Sequence, residues 1–402
     1  MAGSIKRNIE TYAWYRVAAD AFAWIPVFFL YFSEFVPLQD VLRLSAVYYF
    51  SVFWLEVPSG YFSDRFGRRT TLLISAFSFV LSYSLFLVGG TFWILALAQV
   101  FLAVALAFQS GTDTAFHYDS LHRLGRQSEF AQREARAQRF GLTSTALAAL
   151  VGGISGLMDL RLAYVISLCA AVVTVVIVFR FIEPEHENSH VMVGFGRQII
   201  NCIRRLRDPL LAWLFAFYTL MYMMEHVPYE FYQPYISLFQ FDWLDGGSNA
   251  PLVSGIVISI SMFGGALGAA ISVRWQERFG LMSILLFAVL IQCGIIIGMS
   301  AVLHIAVLSM VFFRNFPMAL IHAPMNAAIA PRIATQERAT YLSLQGLSGR
   351  LAFAGLLFIL SSQTSPDQAV DWPTLQSLLT QALVVGGIGM LVLWLLSKPV
   401  RT

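Results

Sequence analysis

The sequence predicts an all-α membrane protein with twelve transmembrane helices in two pseudo-symmetric six-helix bundles. Three observations predict it. Of the 402 residues, 58% are hydrophobic and only 12% are charged, where a soluble domain carries about 25%. The apolar residues form continuous runs of about 20, the length that crosses a bilayer as a helix. The basic residues gather at every second connection between those runs.

The runs fall near 12–32, 41–61, 70–89, 92–114, 140–158, 161–182, 210–235, 252–273, 280–299, 301–321, 341–362 and 375–396. They are long and lack dyad alternation, so helices are expected rather than barrel strands. No small-residue cleavage site follows the first run, which is expected to stay as the first helix. Lys6 and Arg7 precede it, and Arg65, Arg68 and Arg69 follow the second run. Arg123, Arg126, Arg133 and Arg136 follow the fourth, and Arg197, Arg204, Arg205 and Arg207 the sixth. The series continues with Arg274 and Arg278, Arg332 and Arg338, and Lys398 and Arg401. The alternate connections hold only Arg43 and Arg161. Both termini are therefore expected in the cytoplasm, which requires an even number of spans.

Residues 1–182 form the expected first bundle and 209–402 the second, joined by a linker over 183–208. Ile199, Ile200, Ile203 and Leu206 share one helical face of that linker and arginines the other, the pattern of an interfacial helix. Cys169, Cys202 and Cys293 are scattered and form neither a disulfide framework nor a metal site.

Between the second and third runs stands Gly60-Tyr-Phe-Ser-Asp64-Arg65-Phe-Gly67-Arg68-Arg69. It resembles the loop signature of the major facilitator superfamily, Gly-x-x-x-Asp-(Arg/Lys)-x-Gly-Arg-(Arg/Lys), and matches every fixed position. The resemblance implies a secondary transporter in which this loop lies on the cytoplasmic side and helps control the inward-open to outward-open switch. Glu56-Val-Pro-Ser-Gly, with the later Thr-Asp-x-Ala-x-x-Tyr-Asp around Asp113 and Asp119, resembles bacterial permeases of that superfamily. It implies residence in a bacterial inner membrane. Glu56, Asp113, Asp119, Arg139 and Arg350 are the implied cytoplasmic gate partners of Asp64.

The halves repeat weakly. Asp64-Arg65-Phe66-Gly67 corresponds to Glu277-Arg278-Phe279-Gly280, and Gly111-Thr-Asp113 to Pro324-Met-Asn326 at the same offset. Two matches at one offset argue for a duplicated unit.

A charge at the bilayer centre costs several kcal/mol unless it faces a partner or water. Arg16 and Asp20 are four apart on one helical face of the first span. They read either as a self-satisfied pair or as a cavity-lining substrate or proton site. Glu225 and His226 lie midway along the seventh span, near the position equivalent to Asp20, and Glu225 is the leading proton-site candidate. Pro228 and Pro234 are expected to interrupt that helix. Arg314, in the tenth span, either holds an anionic substrate group or neutralises Glu225 or Asp20. Trp14, Trp24, Tyr218, Tyr222, Tyr229, Tyr232 and Tyr235 line a cavity or anchor the interface.

The expected function is alternating-access transport of a small molecule, with proton-coupled efflux of a drug or amphipathic metabolite leading. Uptake by proton symport and a non-transporting sensor of the same fold are the alternatives. Two family export features are absent: Gln99 stands where many drug antiporters carry arginine, and the fifth span, Gly141 to Gly156, has no proline. No His-Glu-x-x-His or Gly-x-Ser-x-Gly supports an enzyme. The expected partners are the lipid bilayer, a small-molecule substrate and a proton. No nucleic acid, cofactor or metal is expected, and the chain is expected to be a monomer.

Overall fold

Apolar runs in a bilayer must satisfy their own backbone, and helix is the solution for a chain of this pattern. The computed structural model describes residues 2–184, 200, 202–239, 249–333 and 335–397. Among them, secondary structure is helical throughout. In order, the helices are α1 (Ala2–Ala19), α2 (Phe28–Ser33), α3 (Leu38–Phe66), α4 (Arg68–Val88), α5 (Phe92–Gln109) and α6 (Thr112–Arg123). Then come α7 (Phe130–Gly156), α8 (Leu160–Phe179), α9 (Pro209–Ser237), α10 (Ala250–Phe279) and α11 (Leu281–Ala301). The chain ends with α12 (Ala306–Val311), α13 (Phe316–Ile329), α14 (Thr335–Ser362) and α15 (Trp372–Leu395).

Nine stretches among the described residues are long and apolar enough to cross a membrane by length and composition alone. The helices α1, α3 and α7 fall outside that set. They carry Arg16, Asp64 and Glu134, three of the charged residues described below. The interfacial helix expected over 183–208 lies mostly outside the described residues, and Lys398 and Arg401 lie wholly outside them.

Three expected spans are broken. The first is not one helix over 12–32: α1 stops at Ala19 and helix resumes at Phe28. The intervening backbone is held by side chains. Thr145 Oγ1 donates to the Asp20 carbonyl at 2.8 Å, and Trp24 N donates to Ser167 Oγ at 3.2 Å. The fourth span breaks at Gly111, whose φ of 73° is left-handed. The tenth breaks between α12 and α13. Irregular backbone survives at membrane depth only where protein or water satisfies it.

The seventh span departs in the other direction. Pro228 and Pro234 do not interrupt α9, which runs unbroken from Pro209 to Ser237. Proline at 228 leaves the carbonyl four residues back without its helical donor. Gln292 Nε2 supplies one, donating to the Met224 carbonyl at 3.0 Å.

The chain divides into two compact units. The first holds α1, α2, α3 from Val47, α4 to α8, and α10 up to Ser259. In it, small residues let backbones touch. A Cβ on Gly152 would sit 1.9 Å from the Ala23 carbonyl oxygen, and one on Gly153 would sit 2.6 Å from that of Pro251. The second holds the start of α3 up to Ala46, then α9, α10 from Ile260, and α11 to α15. There Gly268 lies against Phe316, where a Cβ would come 2.6 Å from the carbonyl oxygen.

Candidate functional site

Breaks and charges coincide. Asp20 immediately follows α1, Asp113 lies in the first turn of α6 after the Gly111 break, and Arg314 sits between α12 and α13.

In the first unit these breaks assemble a buried chain of polar groups. Arg16 Nη2 pairs with Asp20 Oδ2 at 2.8 Å. The Nη1 atom of Arg16 pairs with Asp113 Oδ2. Gln109 Nε2 reaches Asp20 Oδ1 at 3.5 Å. On its other oxygen, Asp113 accepts from Thr114 N at 2.6 Å. Thr114 Oγ1 in turn lies 3.5 Å from Glu134 Oε1, and Glu134 Oε2 lies 2.6 Å from His117 Nδ1. Tyr12 closes the far end by stacking on His117 with centroids 4.0 Å apart. Glycine at 141 makes the close approach possible, since a Cβ there would come within 2.2 Å of Asp20 Oδ2. The cluster therefore sets three carboxylates against one guanidinium and one imidazole.

The loop between α3 and α4 forms a second constellation. Gly67 has φ 98° and ψ 152°, a region open essentially to glycine alone. Arg68 Nη1 pairs with Asp64 Oδ1 at 2.6 Å, and Arg68 Nε lies 3.4 Å from Asp119 Oδ2. So Arg68 bridges the two acids and ties the loop to α6. Glu183 accepts from Arg68 N at 2.6 Å and from Arg69 N at 2.7 Å. A carboxylate thus caps the positive end of α4. Arg69 Nη2 also donates to the Phe179 carbonyl at 3.0 Å. Arg65 points elsewhere, donating to the Tyr61 hydroxyl at 3.1 Å, and Gly60 is open on its Cβ side. Glu56 is half-buried one turn before Gly60. The same junction recurs at Gly280, with φ 79° and ψ 163° between α10 and α11. There Leu281 replaces the bridging arginine.

In the second unit, Glu225 and His226 are adjacent on α9. His226 Nδ1 donates to the Tyr222 carbonyl at 2.9 Å, which places a proton on Nδ1. That leaves Glu225 Oε2 at 3.8 Å from the same nitrogen. Arg314 is buried and packs its guanidinium 4.8 Å above the Tyr229 ring. Its charge reaches Glu225. Glu230, one turn on, is 1% exposed and accepts from Ser45 Oγ at 2.5 Å.

The structure brings Arg16, Asp20 and Asp113 together, and likewise Asp64, Arg68 and Asp119. Arg139 is exposed on α7 and Arg350 is half-buried on α14. Sequence reading did not single out Glu134, Gln109 or Glu183 as site residues. Glu134 carried one signal, as an acid within a run of arginines; Glu183 carried none, because its partner lies 115 residues away.

A family model described as Major Facilitator Superfamily matches residues 28–357. Comparison with curated proteins gives no significant match. Among solved structures, the nucleoside transporter NupG superposes with a TM-score of 0.79 at 11% identity, covering 98% of this chain and 99% of that one. The POT family transporter PepTSo gives 0.70 at 12% identity, with 98% and 99% covered. A D-xylose-proton symporter gives 0.64 at 16% identity, with 98% and 97% covered. At these identities the likeness is one of fold. With the family model spanning most of the chain, the conclusion is that this multi-pass membrane protein belongs to the major facilitator superfamily and has its transporter fold.

Proposed function

We propose that the chain is a proton-coupled secondary transporter that exports a small amphipathic molecule by alternating access. One observation carries the coupling. Among the described residues, the charged partners of Asp20, Asp113 and Glu134 in their buried cluster are Arg16 and His117. Even with His117 protonated, one negative charge is left over. An uncompensated charge at membrane depth is costly, and a proton closes the balance. Transport then follows from a proton that binds the two states differently.

Glu225 is the second proton site in this reading, since the His226 ring beside it stays 3.8 Å away while its Nδ1 donates to the Tyr222 carbonyl. Arg314 is the anchor for a polar group of the cargo, because its guanidinium rests on Tyr229 and among the described residues no carboxylate lies at bonding distance. Asp64, Arg68 and Asp119 form the cytoplasmic gate. Both termini lie in the cytoplasm of a cell with an inner membrane, and the protein acts as a monomer.

Uptake by symport is the second reading. It is favoured by the fold likeness to a protein described as a D-xylose-proton symporter. The test begins with thermal stabilisation of purified protein by uridine, dialanine, xylose and ethidium, since a cargo raises stability by mass action. The stabilising compound is then followed in proteoliposomes under an imposed pH gradient. Asp20→Asn and Glu225→Gln should lose gradient-driven movement while keeping energy-independent exchange. Full gradient-driven movement in both variants would sink the assignment of the two proton sites.

A further inference from the structure

The first unit contains a cavity of about 440 Å³ between α1 and the N-terminal half of α7. It meets the polar cluster of the transport reading at Tyr12 and His117, and that reading leaves the rest of its lining unused. Its walls come from two helical stripes. Ile9, Ala13 and Val17 recur at four-residue spacing on α1, and Arg133, Arg136 and Arg139 at three-residue spacing on α7. One wall is thus apolar and the other cationic. Trp14 and Phe140, both large and exposed, stand at its edge.

The charges of the lining do not cancel. Glu129 is held by Arg126 at 2.6 Å and by Arg133 at 2.8 Å. Those bonds, Arg126 first, pull its carboxyl down to about 2, so it stays ionised and occupied. Glu10 is 3.6 Å from Lys6. Arg136 lies over the Phe140 ring, 5.5 Å from its guanidinium carbon. Among the described residues neither Arg136 nor Arg139 has an acidic partner. Tyr12 stands where the cavity meets the His117 end of the polar cluster. It lines the cavity and is 1% exposed, yet its hydroxyl has no hydrogen-bond partner among the described residues. A buried unpaired hydroxyl is costly, and a phosphate oxygen would accept from it.

We propose that this cavity binds the phosphate group of an anionic amphiphile, with Arg136 and Arg139 holding the phosphate and the Trp14, Val17 and Phe140 side holding the apolar part. Guanidinium groups suit phosphate because they donate in a fixed fork. The volume falls within the range of ligand sites. A basic pocket on the cytoplasmic side of a helix pair also suits an anionic lipid headgroup. A membrane lipid and a free organic phosphate share this chemistry. The proposal is independent of the cargo and of the direction of transport.

The test uses purified full-length protein in a neutral detergent, titrated with phosphatidylglycerol, phosphatidylcholine or glycerol 3-phosphate, with the thermal unfolding midpoint as readout. Phosphatidylglycerol should raise the midpoint and phosphatidylcholine should not. A rise with glycerol 3-phosphate as well would identify the source as a soluble phosphate. In R136Q/R139Q the half-saturating concentration should rise by about tenfold or more, equivalent to about 1.4 kcal/mol. R136K/R139K should recover part of the affinity, which a folding defect would not allow. R180Q, an arginine outside the cavity, should bind as the parent does. Equal shifts from the anionic and zwitterionic lipids, or an unchanged titration in R136Q/R139Q, would overturn the proposal.

Discussion

Arg16 is the residue on which the first unit's polar chain turns. It serves Asp20 and Asp113 together, so its loss leaves buried carboxylates unpaired. Breaking a buried pair from one side costs about 3–5 kcal/mol. Arg16→Met should therefore lower the unfolding midpoint sharply in a thermal melt. Adding Asp113→Asn to it should recover a good part of the loss, because coupled neighbours are not additive. A double variant as unstable as the sum of the two singles would deny the coupling. The Arg16–Asp20 pair was legible in the sequence because four-residue spacing puts both on one helical face. Its union with Asp113, 97 residues from Arg16, was not, and neither was Glu134. No local periodicity encodes which distant helix a charge will meet.

Helix ends carry the account at the scale of elements. The Gly67 junction has two demands that only glycine meets: a backbone with φ 98°, and a Glu183 carboxylate 2.8 Å from where a Cβ would stand. Gly67→Ala should cost about 1–3 kcal/mol from backbone strain alone and displace Glu183 as well. Glu183→Ala should cost about 1–2 kcal/mol, the size of a lost helix cap. If the Glu183 variant melts with the parent protein, the capping role is wrong. The loop signature made the glycines and arginines of this junction visible in the sequence. It could not show that the acid closing it comes from the far end of α8. Proline misled in the opposite sense. Pro228 reads as a break, but Gln292 supplies the donor that Met224 lacks. The real breaks, after Ala19 and around Gly111 and Arg314, carry no proline at the charge itself.

The fold class of the whole molecule was legible from apolar run length and the distribution of basic residues. Both reflect the bilayer as solvent rather than any particular packing. The count of twelve rests on the apolar runs together with the even number that the charge asymmetry requires, while nine described stretches qualify by length and composition alone. Orientation is tested by cysteine labelling of intact cells with an impermeant maleimide. Asp367→Cys should react from outside and Gln127→Cys only after permeabilisation; the reverse would invert the topology. The central claim is that cargo and proton move together. The most direct measurement is proton flux into pyranine-loaded proteoliposomes when the stabilising compound is supplied without an imposed gradient. Export by antiport predicts proton movement opposite to the cargo, lost in Asp20→Asn and Glu225→Gln. Cargo crossing the membrane with no change in internal pH would contradict the account.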